Sequence, residues 1–125
     1  MHCGQIMLLL SIELREEDEP MLIRAMGGVS SGMFSGLNCG TLTGGACLIA
    51  SYCAASAPAE SDKYNYSGMV AELVEWFRNE FGAVDCTELV GSNPSAKALV
   101  CPPIIEKTFI KCIDLLEQNG IDPRE

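Results

Sequence analysis

Residues 25–59 read AMGGVSSGMFSGLNCGTLTGGACLIASYCAASAPA, and none of them is Asp, Glu, Lys or Arg. The chain has 125 residues, 17 acidic and 8 basic, so every charge sits on the two flanks of this stretch. An uncharged run of that length is either a membrane span or the buried centre of a fold. Glycines at 27, 28, 32, 36, 40, 44 and 45 interrupt it, along with many Ser and Thr. No unbroken apolar run approaches the roughly 20 residues a span needs. The stretch therefore reads as a central element wrapped by amphipathic helices.

Its best-formed part is a helix from about Asn38–Cys39 to Ala55. Leu42, Ala46, Leu48, Ile49 and Tyr52 make that helix apolar or small on nearly every side. Gly44 and Gly45 each cost about 1 kcal/mol of helix propensity relative to Ala. Glycines in a buried helix usually serve the close approach of another backbone or a ligand. On the N-terminal flank, Cys3, Ile6, Met7, Leu10 and Leu14 share one face of a helix over Cys3–Arg15. The acids 16–19 precede Pro20, which suits a first helical position. A second helix follows with Leu22, Ala25, Met26 and Val29 on one face, and it dissolves in Gly27–Gly36. On the C-terminal flank, residues 56–66 (SAPAESDKYNY) read as a linker. A helix over Ser67–Phe81 carries the stripe Val70, Leu73, Val74, Phe77 and Phe81 and stops at Gly82. A short helical turn covers Asp85–Val90, and a loop over 92–100 carries Asn93-Pro94. The last helix is expected over Pro102–Asn119, burying Ile105, Phe109, Cys112, Ile113 and Leu116. The expected fold is all-α, one domain over residues 1–125, a compact bundle of about five helices around the uncharged one.

A formal charge of −9 argues against nucleic acid or an anionic membrane as partner, since both need clustered Lys and Arg. The one histidine, His2, disfavours most His-based catalysis and any His-rich metal site. Met1-His2-Cys3 has no basic lead-in, and the run Ile6–Leu10 is too short for a signal peptide, so a cytoplasmic location is expected. Seven cysteines in such a chain point to metal, redox chemistry or packing rather than structural disulfides. No C-x-x-C occurs, which removes local thioredoxin, zinc-ribbon and ferredoxin arrangements, and no C-x-x-C-H is present for covalent haem. Any shared site must be assembled from distant parts of the chain.

Four cysteines fall at expected helix starts: Cys3, Cys39, Cys86 after the capping residue Asp85, and Cys101 before Pro102. Helix starts favour anions and lower a thiol pKa. Cys47 and Cys112 lie in apolar helix faces and read as packing, and Cys53 leans the same way.

The same four cysteines carry a family resemblance. The chain resembles the redox-active proteins named for a C, GCAxxG, C, C signature, found largely in anaerobic bacteria. The matching residues are Cys3 in HCGQIMLLL, Cys39-Gly40-Thr41-Leu42-Thr43-Gly44 within NCGTLTGGACL, Cys86 in FGAVDCTELVG, and Cys101 in VCPPIIEKTF. Thr41 stands where the family often has Ala. Family members commonly carry a helical segment ahead of the first cysteine, so the resemblance implies a start earlier than Met1. It also implies a small helical fold and a redox role.

The leading functional reading is a redox protein or electron carrier, an oxidoreductase if it is an enzyme. Its site is Cys3, Cys39, Cys86 and Cys101. These are either the metal ligands of an iron–sulfur cluster, with Gly40, Gly44 and Gly45 giving the cluster room, or dithiols that cycle with disulfides. A redox partner protein is then required, and an exposed apolar face on the first helix would suit a homodimer. The reading from a different class is a non-catalytic accessory or assembly subunit, its cysteines structural and its acidic helices docking a basic redox partner.

Overall fold

The uncharged stretch supplies the helix around which the other elements are laid. The structure, a computed structural model, describes residues 1–91 and 96–125. It is all-α, with α1 (Cys3–Leu14), α2 (Pro20–Met26), α3 (Gly40–Cys53), α4 (Tyr66–Phe81), α5 (Cys86–Val90) and α6 (Lys97–Gln118). No strand occurs among the described residues, and five of these helices have seven residues or more. The Asn93-Pro94 turn lies outside the described residues. No described helix is long and apolar enough to cross a membrane.

Helix α3 lies between α1 on one side and α4 and α6 on the other. Two successive glycines make this possible. A Cβ on Gly44 would stand 3.1 Å from Met7 Cβ and 3.2 Å from Gly4 Cα of α1. A Cβ on Gly45 would stand 3.1 Å from both Leu73 Cδ2 of α4 and Cys112 Sγ of α6. Leu48, Ile49, Leu73, Phe77, Leu115 and Leu116 then close the core with no solvent exposure.

This close approach turns α1 and α6 away from the faces expected of them. Helix α1 buries Gly4, Met7, Leu8, Ser11 and Ile12, while Ile6, Leu10 and Leu14 are half-buried. Helix α6 buries Ile104, Thr108, Cys112, Leu115 and Leu116. A periodicity of apolar residues overlooks Gly4, Ser11 and Thr108, whose small side chains let the backbones meet. Ile6, Leu10, Ile105 and Phe109 instead line a shallow apolar groove between the two helices.

The start of α6 also differs from expectation. It begins at Lys97 and runs through Pro102 and Pro103, rather than starting at Pro102. The proline rings leave the carbonyls of Ala98 and Leu99 without N–H partners. Both residues are exposed, so water can satisfy them.

Between α2 and α3 the chain makes an uncommon turn. Ser31, Gly32, Met33 and Phe34 all have positive φ, at 50°, 62°, 58° and 55°. The turn closes with the Leu37 N–H donating to the Gly32 carbonyl at 3.1 Å. Left-handed backbone costs about 1–2 kcal/mol for each residue with a Cβ. Beyond it, the Cys39 N–H donates to the Val84 carbonyl at 2.8 Å and the Cys86 N–H to the Leu37 carbonyl at 2.7 Å. This isolated bridge ties the start of α3 to the start of α5.

Candidate functional site

The starts of α1, α3 and α5 and the first turns of α6 meet around one cavity of about 370 Å³. Cys3, Cys39, Cys86 and Cys101 all line it. Cys3 is the first residue of α1, where the preceding His2 N–H is held by Gln5 Oε1 at 3.0 Å. Cys39 is the N-cap of α3 and Cys86 the first residue of α5, both fixed by the bridge. Cys101 is not at a helix start. Because α6 begins at Lys97, Cys101 lies more than a turn inside it and faces the cavity from the helix wall.

Gly40 also lines the cavity. A Cβ there would stand 2.6 Å from Cys3 Sγ and 2.9 Å from the Val29 carbonyl oxygen. The missing side chain is therefore what seats the Cys3 sulfur on the first turn of α3. Gly44 and Gly45 do not share that role: they lie against α1, α4 and α6, inside the packed core. The rest of the wall is apolar, with Ile6, Leu89 and Ile104, apart from His2, Ser31 and Lys97. Lys97 Nζ donates to Ser31 Oγ at 2.8 Å. No sequence pattern could have placed Lys97 here, because its partner is 66 positions away.

A family model described as "Putative redox-active protein (C_GCAxxG_C_C)" matches residues 1–115. The chain belongs to this family. The matched span includes all four cavity cysteines. No curated protein and no solved structure matches the chain.

The thiols of this C_GCAxxG_C_C protein are all free, and burial governs them. Cys39 is raised above the usual thiol range, chiefly by burial, with Cys3 adding to the effect. The Leu42 and Thr41 backbone N–H groups and the Thr41 hydroxyl act in the opposite sense. The helix start thus works as expected on Cys39, but burial outweighs it. Cys101 is also raised, first by burial and then by Cys3, Cys39 and Cys86, with Lys97 opposing. Each of those three thiols acts on Cys101, which places them within electrostatic reach of it.

The other three cysteines lie away from the cavity. Cys112 is fully buried and donates to the Gly45 carbonyl at 3.7 Å. Burial pushes its thiol up to about 12. Burial also raises Cys47 and Cys53.

Two features bear on which group the cavity suits. Among the described residues, no three His, Cys, Asp or Glu side chains converge to hold a metal ion. A single zinc, with Zn–S near 2.3 Å, needs its four sulfurs about 3.8 Å apart, and the cavity does not bring them to such a point. A cluster of iron and sulfide holds its ligands around a multi-atom core. Four cysteines around one cavity are compatible with a group of that kind.

Proposed function

We propose that the protein carries electrons through an iron–sulfur cluster ligated by Cys3, Cys39, Cys86 and Cys101. The observation that carries this reading is that four cysteines from four separate helices line one cavity. Such a cluster, when bound, supplies a one-electron couple that is filled by a reduced carrier and emptied by an oxidised partner. The chain's own residues do the rest. Gly40 lets the Cys3 sulfur sit against the first turn of α3, and the N–H groups of Thr41 and Leu42 favour negative charge on the Cys39 sulfur. Ile6 and Ile104 keep the wall apolar, which strengthens every charge interaction inside. Lys97 offsets part of the negative charge that four thiolates bring.

A second reading is thiol–disulfide cycling by Cys3 and Cys39. It is favoured by the seating of the Cys3 sulfur on Gly40, the residue after Cys39. In that cycle the two thiols give up two electrons and two protons and form an S–S bond, while a partner disulfide is reduced to two thiols. Under either reading the partner is a redox protein. Exposed Phe34, whose ring meets His2 edge-on at 5.6 Å, and Met33 and Leu37 offer it an apolar contact beside the cavity.

Purification without oxygen, followed by absorption spectroscopy and iron and sulfide analysis, tests the proposal. Visible sulfur-to-iron bands with stoichiometric iron are expected. A colourless, iron-free protein after reconstitution would sink the cluster. Thiol counts that do not change with reductant after mild oxidation would then sink the dithiol cycle too.

A further inference from the structure

Two hydroxyls among the described residues are fully buried without a hydrogen-bond partner: Ser30 Oγ and Thr108 Oγ1. Buried polar groups are nearly always paired, so each calls for an account. Their surroundings differ. Thr108 lies midway along α6, with its methyl group turned to Gly45 in the packed core. Ser30 lies against the first turn of α3. The point where a Gly40 Cβ would stand is 3.2 Å from Ser30 Cα and 2.6 Å from Cys3 Sγ, so the serine and that sulfur flank the same point. The next residue, Ser31, lines the cavity and is engaged by Lys97. Ser30 is the hydroxyl left over, beside the site.

We propose that Ser30 is a positioning residue of the four-cysteine site, its hydroxyl donating to the Cys3 sulfur when that sulfur is iron-bound or a thiolate. The proposal rests on the redox reading above. A neutral thiol is a weak acceptor, and Ser30 Oγ has no hydrogen-bond partner among the described residues. A sulfur carrying negative charge is a much stronger acceptor. The hydroxyl proton rotates freely about its C–O bond and can be aimed at an acceptor. An added electron increases the charge on the ligating sulfurs, so the bond favours the reduced form and raises the potential.

The test is the midpoint potential of the anaerobically reconstituted protein, titrated with dithionite through mediator dyes. Wild type, Ser30→Ala and Thr108→Val are compared, with thermal unfolding of each metal-free form measured alongside. Ser30→Ala is expected to shift the oxidised-to-reduced ratio by about tenfold toward the oxidised form, which is about 59 mV downward for a one-electron couple. Its metal-free form should be as stable as wild type or more so, because no bond is lost. Thr108→Val should leave the potential unchanged. A Ser30→Ala potential equivalent to less than a twofold shift would overturn the role of Ser30. If the wild type is colourless but cycles dithiols, the ratio is read in glutathione buffers, where the same tenfold shift is about 30 mV. A wild type with neither iron nor reductant-dependent thiols overturns the redox reading itself, and that result is visible before any variant is made.

Discussion

The first turn of α3 and the turn after it are built from the same kinds of residue for opposite ends. Gly40 lets the Cys3 sulfur sit against the helix, at the wall of a cavity. Gly44 and Gly45 close space against three helices, and a core results. The cysteines divide in the same way. Cys39, at the head of the helix, shares a cavity with three other thiols, while Cys112, beside Gly45, is sealed in the core and held as a neutral thiol. A glycine of α3 therefore acquires its meaning from its distance to the helix start.

Substitutions at the packed end should cost stability, and those at the cavity end should cost chemistry. The largest loss is expected for Phe77→Ala, which empties a fully buried site and should lower unfolding free energy by about 3–5 kcal/mol, read by urea denaturation. Alkaline pH comes next. Burial pushes the Cys112 thiol up to about 12 from the ordinary thiol value of 9.0. Below pH 9 it is protonated folded and unfolded, and its contribution is fully present. As pH rises from 9 toward 12 only the unfolded chain loses the proton, so stability falls by up to about 1.4 kcal/mol per pH unit. The other buried thiols act in the same direction, and Cys112→Ala should flatten the slope by about one proton. Gly44→Ala should cost about 1–2 kcal/mol, because its Cβ would press on the Gly4 backbone, which cannot yield as a side chain would. The smallest stability change, under about 1 kcal/mol, is expected for Cys86→Ser, a half-buried and nearly isosteric exchange. If Cys86→Ser unfolds the protein as Phe77→Ala should, the division between the two ends is wrong.

Much of this was legible in the sequence. The charge-free stretch identifies the central helix, and helix-start signals find Cys3, Cys39 and Cys86. Cys101 was singled out for the wrong reason: Pro102 read as a helix start, whereas α6 begins at Lys97 and carries both prolines. The buried faces of α1 and α6 differ from the apolar stripes because apolar periodicity gives no weight to Gly4, Ser11 or Thr108. The positive-φ turn at Ser31–Phe34 had no sequence signal, since Met and Phe are not residues that favour it. Lys97 joins the cavity, and Ser30 packs beside it, through tertiary packing alone.

The most direct test of the account is the iron content and visible absorbance of seven single Cys→Ser variants, each purified without oxygen. The division into four and three predicts that Cys3, Cys39, Cys86 and Cys101 variants lose most of the iron and the bands. Variants at Cys47, Cys53 and Cys112 should retain them. Equal loss across all seven, or loss confined to Cys47, Cys53 and Cys112, would contradict it.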